Sequence, residues 1–495
     1  VKVQIVNSFP DIKVKIVDGT TNTLRDASSG SQKGCLYVKG HAEFAQHGTL
    51  NVYGNVKHAI KTGEYFSIKN ATINVLSAVS DGINCSQYFL MESGDISISG
   101  VGDDGVQCDI DDTVTGSTGE TTNHENEDSG NVYLNGGTLT IIVTAAKAKG
   151  IKAGGDIITT GGTVSISTSG SAAWDSTDGE TKAAACMSAD GNMVISGGSF
   201  TLSSSGSGGK GIKCDGTLAI TDSAVITVTT SGGLFYSNGT TTNTNYTGNT
   251  DRISNNYYSS PKGIKATGAV TISGGKTTVT TSGRNGEGIE SKSTLAISGG
   301  EVVVNAYDDA INSASNMTIS GGMIYARATN NDGLDANGNC YIQGGLVYAI
   351  GASSPEVGID ANTESGYKLY VTGGTIIAIG GLENGSSLTQ SCYTTKSSSS
   401  GGWGGGWGGG SSSGSWTKNT WYAMTYGSTT VVFKTPASGG SSMVISAAST
   451  PTLKSGVTGS GTTIFDGVAY FPGSYSSGSS VTLTSYSSGN GGWGR

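Results

Sequence analysis

The feature that most constrains this 495-residue chain is a short motif that recurs along most of its length. A charged residue, a glycine, an aliphatic residue, a polar residue and a small residue follow one another, as in 81–85 (DGINC) and 262–266 (KGIKA). Most copies lie about 22 to 25 residues apart. A repeat of this length cannot bury an apolar face by itself, so neighbouring copies must stack and bury it together.

Composition agrees with a fold made of short strands and many turns. The chain has 81 glycines but only 6 prolines, which excludes collagen and disfavours long helices. Gly-Gly pairs precede short β-branched segments at 197–198, 274–275, 299–300, 321–322, 344–345 and 373–374. We therefore predict an all-β protein: a right-handed parallel β-helix solenoid of about a dozen coils with a small antiparallel C-terminal cap or module.

Interruptions of the repeat suggest four segments. Residues 1–33 are expected to form an N-terminal cap or first coil, and residues 34–396 the β-helix, with inserts near 110–131 and 232–260. Residues 397–415 are expected to form a loop rich in Gly, Ser and Trp, and residues 416–495 a C-terminal cap or module. Trp403, Trp407, Trp416 and Trp421 either stack on sugar rings or only anchor this region. Because the chain begins in a strand-like pattern without a leader, we expect a trimmed or mature form.

Charge and cysteine content narrow the setting. The net charge of −9 and the isoelectric point of about 5.0 argue against nucleic acid as a partner, and no apolar run is long enough for a membrane-spanning helix. Cys85 and Cys108 occupy the same motif position in consecutive repeats, and we assign Cys186 and Cys214 in the same way. Such pairs are either reduced thiols in a ladder of small residues or disulfides between coils.

Charged motif positions fall into blocks of one sign, and stacked like charges repel unless a counterion neutralises them. For the acidic blocks we expect Ca²⁺, which prefers oxygen ligands; the alternative is that these side chains only cap turns. Insert residues Asp111 and Asp112 extend the first block. The candidate metal ligands are Asp81, Asn84, Asp103, Asp104, Asp109, Glu287, Glu290, Asp308, Asp309, Asn312, Asp332, Asp335 and Asp360.

The basic block lies between the two acidic ones, and Lys182 is assigned to it as well. Uronate units of a pectin-like chain repeat at about 4–5 Å, close to the strand spacing, so each lysine can address one carboxylate. The alternative is a solvated lysine face that pairs locally with Glu125, Glu127 and Asp128. The candidate ligand-binding residues are Lys149, Lys152, Lys210, Lys213, Lys262 and Lys265.

Three features together resemble the bacterial carbohydrate-binding β-helix family: the stretch 18–24 (DGTTNTL), the Lys33-Gly34 opening, and the recurrent motif with its (S/T)-G-G turns. The resemblance covers about residues 15–381. Members of that family bind cellulose and pectin-type acidic sugars, and their fold is similar to that of calcium-dependent pectate lyases. The resemblance implies a calcium-dependent binder of plant-type or acidic polysaccharide that is secreted or lies at the bacterial cell surface. This setting allows a lipid anchor upstream of the chain and other surface proteins as partners.

Two other functions remain open at this point. A calcium-dependent lyase needs a basic side chain beside the metal, a role open to Lys149 or Lys152 near Asp103 and Asp104, or to Lys262 or Lys265 near Glu287. The other is a structural surface scaffold or adhesin that binds no glycan.

Overall fold

The computed structural model describes residues 11–110, 127–250, 253–395 and 415–489. These residues are all β apart from short 3-10 helices at Asn255–Tyr257, Thr363–Ser365 and Phe465–Gly467, which confirms the predicted all-β class. Within these ranges no helix is long and apolar enough to cross a bilayer. Two compact units are formed, one by the residues before Ala269 with Thr281–Gly286, the other by Ala269–Thr280 and the residues from Glu287 onward.

Parallel sheets build the first unit, and the recurrent motif forms one of them. Successive motif strands pair in register, so that Ile60 lies opposite Ile83 and Ile83 opposite Val106. Each of these aliphatic side chains is fully buried. We call this sheet the first charged sheet; its strands are Gly34–Val38, His58–Thr62, Ile83–Ser86, Val106–Asp109, Lys149–Ala153, Ala185–Ala189, Lys210–Cys214 and Lys262–Ala266.

The remaining parallel strands of this unit pair in the same one-repeat register, as Ile96 does with Ile73 and Leu139. Their inward residues alternate with exposed ones, as expected for strands with one buried face. These strands are Asp11–Lys15, Thr21–Arg25, His41–Ala45, Thr49–Gly54, Phe66–Lys69, Thr72–Ala78, Tyr88–Met91, Asp95–Val101, Asn131–Leu134, Thr138–Val143, Ile157–Thr168, Met193–Ser204, Leu218–Ile220 and Val225–Thr230.

Two antiparallel elements interrupt the repeat. A hairpin joins Ala173–Asp175 to Glu180–Lys182, and a three-stranded sheet contains Phe235–Ser237, Thr242–Asn243 and Tyr258–Ser259. The assignment of Lys182 to the basic block was wrong, because Lys182 lies in this hairpin and outside the charged sheet. The motif position opposite Lys149 is held by Ala185, because the repeat resumes only after the hairpin.

The second unit continues with the same two kinds of parallel strand. Its motif strands, the second charged sheet, are Glu287–Ser291, Ile311–Ser313 and Leu334–Ala336, followed by single bridges from Leu334 to Ile359 and from Ile359 to Leu382. The pairing of motif positions therefore continues as far as Leu382. The other parallel strands are Val270–Ile272, Lys276–Thr281, Leu295–Ile297, Glu301–Ala306, Met317–Ile319, Met323–Ala328, Cys340–Ile342, Leu346–Ile350, Leu369–Val371, Thr375–Ile379 and Ser387–Leu388.

Antiparallel strands end the described chain. Met443–Ser446 pairs with both Thr375–Ile379 and Cys392–Thr395, and the latter pairs with Leu483–Ser485. A six-stranded antiparallel sheet, the C-terminal sheet, follows; its strands are Trp421–Tyr426, Thr429–Lys434, Thr452–Ser455, Thr458–Ile464, Ala469–Ser476 and Ser479–Val481. One face of it joins the core of the second unit, where Phe433 packs against Tyr348.

All seven cysteines are free thiols. Cys85 and Cys108 lie opposite each other on adjacent strands, as predicted. The assignment of Cys186 was wrong, because Ala189 is the residue that lies opposite Cys214. The hairpin before Ala185 displaces the motif by three residues in this repeat, which the sequence spacing did not reveal.

Candidate functional site

The first charged sheet divides the predicted lysines into two rows. Residues that follow the aliphatic position lie opposite one another and form an outward row at about 4.8 Å per step. Most of these side chains are partly exposed, and all are polar. The row consists of Tyr37, Lys61, Asn84, Gln107, Lys152, Ser188, Lys213 and Lys265.

Three lysines that precede the motif glycine form an inner row with less access to solvent, namely Lys149, Lys210 and Lys262, whereas Lys33 at the same motif position is exposed. Lys210 and Lys262 are about 5–6% exposed. The Nζ of Lys210 donates to the Oγ of Ser259 at 2.8 Å, and the Nζ of Lys149 donates to the carbonyl of Lys147 at 2.6 Å. Burial also lowers the pKa of Lys149. Lys149 therefore binds neighbouring backbone, and Lys210 binds the insert that contains Ser259.

Acidic residues lie beside two lysines of the outward row. Lys152 contacts Asp190, and the Nζ of Lys213 lies 2.9 Å from Asp215. These acids differ from the expected ones. Glu127 is fully buried and accepts a hydrogen bond from the Tyr133 hydroxyl at 2.7 Å; Asp128 is also buried. Glu125, like Asp111 and Asp112, lies outside the described residues.

A polar cavity of about 370 Å³ opens at the start of the outward row. Lys33 and Lys57 are exposed there and form no ion pair within the described part of the chain. Amide, hydroxyl and carboxylate groups line the same cavity, so cations, donors and acceptors face one space. Its lining residues are Lys33, Lys57, His58, Lys61, Ser80, Asp81, Asn84, Asp103, Gln107 and Asp109.

Hydrogen bonds already occupy Asp81, the most buried acid of this cavity. Its Oδ2 accepts from the amide of Asn84 at 2.7 Å and lies 3.2 Å from Nδ1 of His58, while its Oδ1 accepts from the backbone amide of Asp104 at 3.3 Å. Asp109 accepts from the side-chain amide of Gln107 at 2.9 Å. Because lysines share the cavity, the first acidic block fits a calcium ion poorly.

Asp104 stands apart from the cavity and links two repeats. Its Oδ1 accepts from the backbone amide of Lys149 at 2.6 Å. Burial raises the pKa of Asp104 to about 7. The turn-capping alternative considered above therefore describes Asp81 and Asp104, with the difference that each caps the next repeat instead of its own turn.

The second unit repeats this linkage. Asp309 accepts from the backbone amide of Asp332 at 3.1 Å, and Asp332 accepts from the amide of Val357 at 2.5 Å. The side-chain amide of Asn312 donates to Asp309 at 3.1 Å and to Asp335 at 2.7 Å. Asn312 therefore joins carboxylates of neighbouring repeats.

Three carboxyl groups follow Asn312 in the outward position of successive repeats: Asp335, Asp360 and Glu383. Burial, with the Glu383 carboxyl next in effect, raises the pKa of Asp360 to about 10, and burial raises the pKa of Asp335 to about 6. We call these three residues the carboxyl row. Sequence reasoning missed Glu383, although Leu382 lies one 23-residue step after Ile359.

The other predicted metal ligands lie nearby in sequence but in different surroundings. Asp308 accepts from the side-chain amide of Asn331 at 3.1 Å. Glu290 is 1% exposed and lies 2.5 Å from the Nζ of Lys292, whereas Glu287 is partly exposed. Among the described residues, no group of three or more His, Cys, Asp or Glu side chains converges closely enough to hold a metal ion as it stands.

Comparison with known families identifies the repeat region. The model of a family described as carbohydrate-binding domain-containing protein matches residues 3–233 and 278–406, which is more than half of the chain. The chain belongs to this carbohydrate-binding family. No curated protein and no solved structure gives a match.

The ranges matched by the carbohydrate-binding family divide the candidate residues. The cavity, the outward row as far as Lys213 and the carboxyl row all lie within them. Lys262, Lys265 and the C-terminal sheet lie outside them. Trp403 and Trp407 fall in residues that the structure does not describe, whereas Trp416 donates from its indole nitrogen to the carbonyl of Gly440 at 2.8 Å.

Proposed function

We propose that the first charged sheet binds an acidic polysaccharide of the pectin type along its outward row. The observation that carries the proposal is the row itself. Polar side chains lie opposite one another, in register, on consecutive strands, and a cavity lined by lysines lies at the start of the row. Membership of a carbohydrate-binding family supports a glycan as the ligand.

Each part of the surface suits a part of such a polymer. Lys33, Lys57 and Lys213 supply positive charge for uronate carboxylates, and a lysine ammonium tolerates varied approach directions. Asn84 and Gln107 offer amide donors and acceptors to sugar hydroxyls, and the partly exposed ring of Tyr37 offers a flat apolar surface to a sugar ring. Because uronate units repeat at about the strand spacing, several units can bind at once.

We also propose that calcium supports this function and binds at the carboxyl row. Asp335, Asp360 and Glu383 follow one another in successive repeats. Burial, with the Glu383 carboxyl next in effect, raises the pKa of Asp360 to about 10, so that Asp360 holds a proton at neutral pH. A divalent cation with oxygen ligands would replace that proton and relieve the repulsion. Asp309 and Asn312 border the row and would supply further oxygens.

For the fold and setting we propose a right-handed parallel β-helix at the bacterial cell surface or in secreted form. The repeated parallel register, with strands paired one repeat apart in two kinds of sheet, supports closed coils. The relation of this fold to pectate lyases belongs to the same proposal.

Titration calorimetry with polygalacturonate oligomers tests the binding surface. We expect the variant Lys33→Gln with Lys57→Gln and Lys213→Gln to lose about tenfold or more in affinity, and the affinity of the unchanged protein to fall as salt rises. The exposed Lys368→Gln serves as a matched control and should bind normally. Equal affinity of the triple variant and the unchanged protein would contradict the proposed surface.

The same mixtures separate the two other functions. A lyase produces an unsaturated sugar whose ultraviolet absorbance rises with time, so a steady rise in the presence of Ca²⁺ would replace the binder by an enzyme. Absence of binding to acidic and neutral glycans alike would favour a scaffold.

Calcium titration of the chelator-treated protein tests the carboxyl row. We expect heat of binding in the unchanged protein and its loss in Asp360→Asn with Glu383→Gln, because two of the three carboxylates are then neutral. Asp103→Asn, on the first acidic block, should keep the heat. The reverse pattern would move the calcium site to the first unit, and no heat in any protein would remove calcium from the proposal.

A further inference from the structure

The C-terminal sheet, which lies outside the residues matched by the family, has two different faces. Alternate residues of its strands, among them Met424 and Phe433, are buried in the core of the second unit. Their neighbours point to the other side, where Ala423, Val432 and Val457 form a small separate cluster.

Three aromatic side chains cover this small cluster and remain partly exposed. Trp421, Tyr470 and Tyr475 pack against it, and the rings of Trp421 and Tyr470 stack with centroids 5.2 Å apart. A Cβ added at Gly459 would lie 3.3 Å from the Tyr470 ring. The missing side chain therefore lets that ring lie close against the sheet. We call this side of the sheet the aromatic face.

Lysines lie beside these rings. Lys434 pairs directly with Trp421, and Lys454 with Ala423, in antiparallel register, which places both lysines on the aromatic face. Lys434 is exposed, and the Nζ of Lys454 lies 5.5 Å from the centre of the Tyr475 ring.

Acidic charge is almost absent from this part of the chain. Asp466 is the only acidic residue in the range 415–489, and it accepts a hydrogen bond from the Nζ of Lys276 at 2.8 Å. The aromatic face is therefore a positive surface in a protein with net charge −9, and its charge is complementary to an anionic ligand.

We propose that the aromatic face is a second glycan-binding surface and that its ligand is an anionic, uronate-containing polysaccharide. Flat sugar rings pack their C–H faces on Trp421 and Tyr475, and the carboxylates pair with Lys434 and Lys454. Tyrosine and tryptophan offer a large rigid contact area with a polar edge. The choice of glycan rests on the proposed function, whereas the surface itself is separate from the first charged sheet.

The test measures binding of polygalacturonate oligomers to the full-length protein at low salt. A face variant, Tyr475→Ser with Lys434→Glu, is compared with the unchanged protein and combined with the triple lysine variant of the first charged sheet. We expect the face variant to lower affinity about three- to tenfold in both backgrounds. Lys434→Glu alone changes only an exposed side chain and should give part of this loss without altering the folded structure.

Controls separate the two proposals. Tyr367→Ser with Lys368→Glu, an exposed pair on another surface, should bind normally. If the two face substitutions change the affinity neither in the unchanged protein nor in the triple lysine variant, the inference is overturned, whatever the effect of the triple lysine variant itself. If only the triple variant is without effect, the first surface fails and the aromatic face stands. A neutral glucan oligomer that binds as tightly as the uronate oligomer, with no effect of Lys434→Glu, would overturn the anionic assignment.

Discussion

At the scale of single residues, glycine is abundant in this chain for two separate physical reasons. The second glycine of the Gly-Gly turns has a left-handed backbone, as at Gly300 with φ of 79°, which other residues adopt only with strain. The motif glycine instead makes room for packing: a Cβ at Gly288 would lie 2.1 Å from Cγ1 of Val304 and 2.5 Å from the carbonyl oxygen of Ala310.

A double-mutant cycle on Gly288 and Val304 tests the packing reason. Gly288→Ala should lower the free energy of unfolding by about 1–3 kcal/mol, because the added methyl overpacks the core. Val304→Ala should lower it by about 1–2 kcal/mol through a cavity. In the double variant the methyl enters that cavity, so the loss should be well below the sum. Chemical denaturation measures all four proteins, and additive losses would contradict the packing explanation.

The next repeat already contains the compensated pair. Ala310 follows Asp309 where Gly288 follows Glu287, and Ala326 lies opposite Val304 in the neighbouring strand. In this repeat, alanine replaces glycine at one position and alanine replaces valine at the facing position. This is the same pair of changes as in the double variant of Gly288 and Val304, which we expect to be tolerated.

Asp104 gives a residue-scale prediction for pH. Its pKa is about 7 in the folded protein against 3.8 in a free side chain, so between these values the unfolded state has lost a proton that the folded state retains. Stability therefore falls as pH rises from about 4 to about 7. Asp104→Asn keeps an oxygen for the Lys149 amide but no charge, so its stability should fall less over this range. Parallel curves for the two proteins would contradict the assignment.

At the scale of elements, strand register decides which charges are available. The motif spacing predicted that like charges stack, and the pairing of Lys213 with Lys265 agrees. The spacing could not show that residues on the two sides of the aliphatic position differ in exposure, with Lys210 buried and Lys213 partly exposed. Side-chain direction alternates along a strand, but the insert that covers Lys210 comes from far along the chain.

Substitutions of Lys210 and Lys213 should therefore have opposite effects on proteolysis and on polysaccharide binding. Lys210→Met removes the hydrogen bond to Ser259 and should make the insert containing Tyr258–Ser259 more sensitive to proteolysis, with unchanged affinity for polygalacturonate. Lys213→Gln should weaken polygalacturonate binding and leave proteolysis unchanged. Limited proteolysis and calorimetry on both variants check this, and an affinity loss in Lys210→Met alone would reverse the assignment of the two rows.

At the scale of the whole molecule, the C-terminal sheet completes a core that the repeats of the second unit leave open. The Tyr348 hydroxyl donates to the backbone carbonyl of Lys434 at 3.0 Å, and the fully buried Phe433 ring lies with its centre 5.5 Å from that of Tyr348. Parallel strands at the end of a stack of repeats expose an apolar face that must be covered.

Phe433→Ala should lower the free energy of unfolding by about 3–5 kcal/mol, because it opens a cavity between the C-terminal sheet and the parallel strands. Tyr367→Ala removes an exposed ring and should change it by less than about 0.5 kcal/mol. Thermal unfolding followed by circular dichroism measures both. A small loss in Phe433→Ala would mean that the sheet is not needed to cover this core.

The sequence by itself determined the all-β class, the repeat length, the carbohydrate-binding family and most of the positions that pair between repeats, although not those of the repeat that contains Lys182 and Cys186. These properties follow from local patterns, because spacing and glycine placement are written directly into the chain. Tertiary structure decided which lysines face solvent, that Asp81, Asp104, Asp309 and Asp332 cap the next repeat, and that Glu383 joins Asp360. It also decided that the C-terminal sheet has an aromatic face. The physical reason is that burial and hydrogen bonding depend on neighbours about one repeat or more away, which no local pattern records.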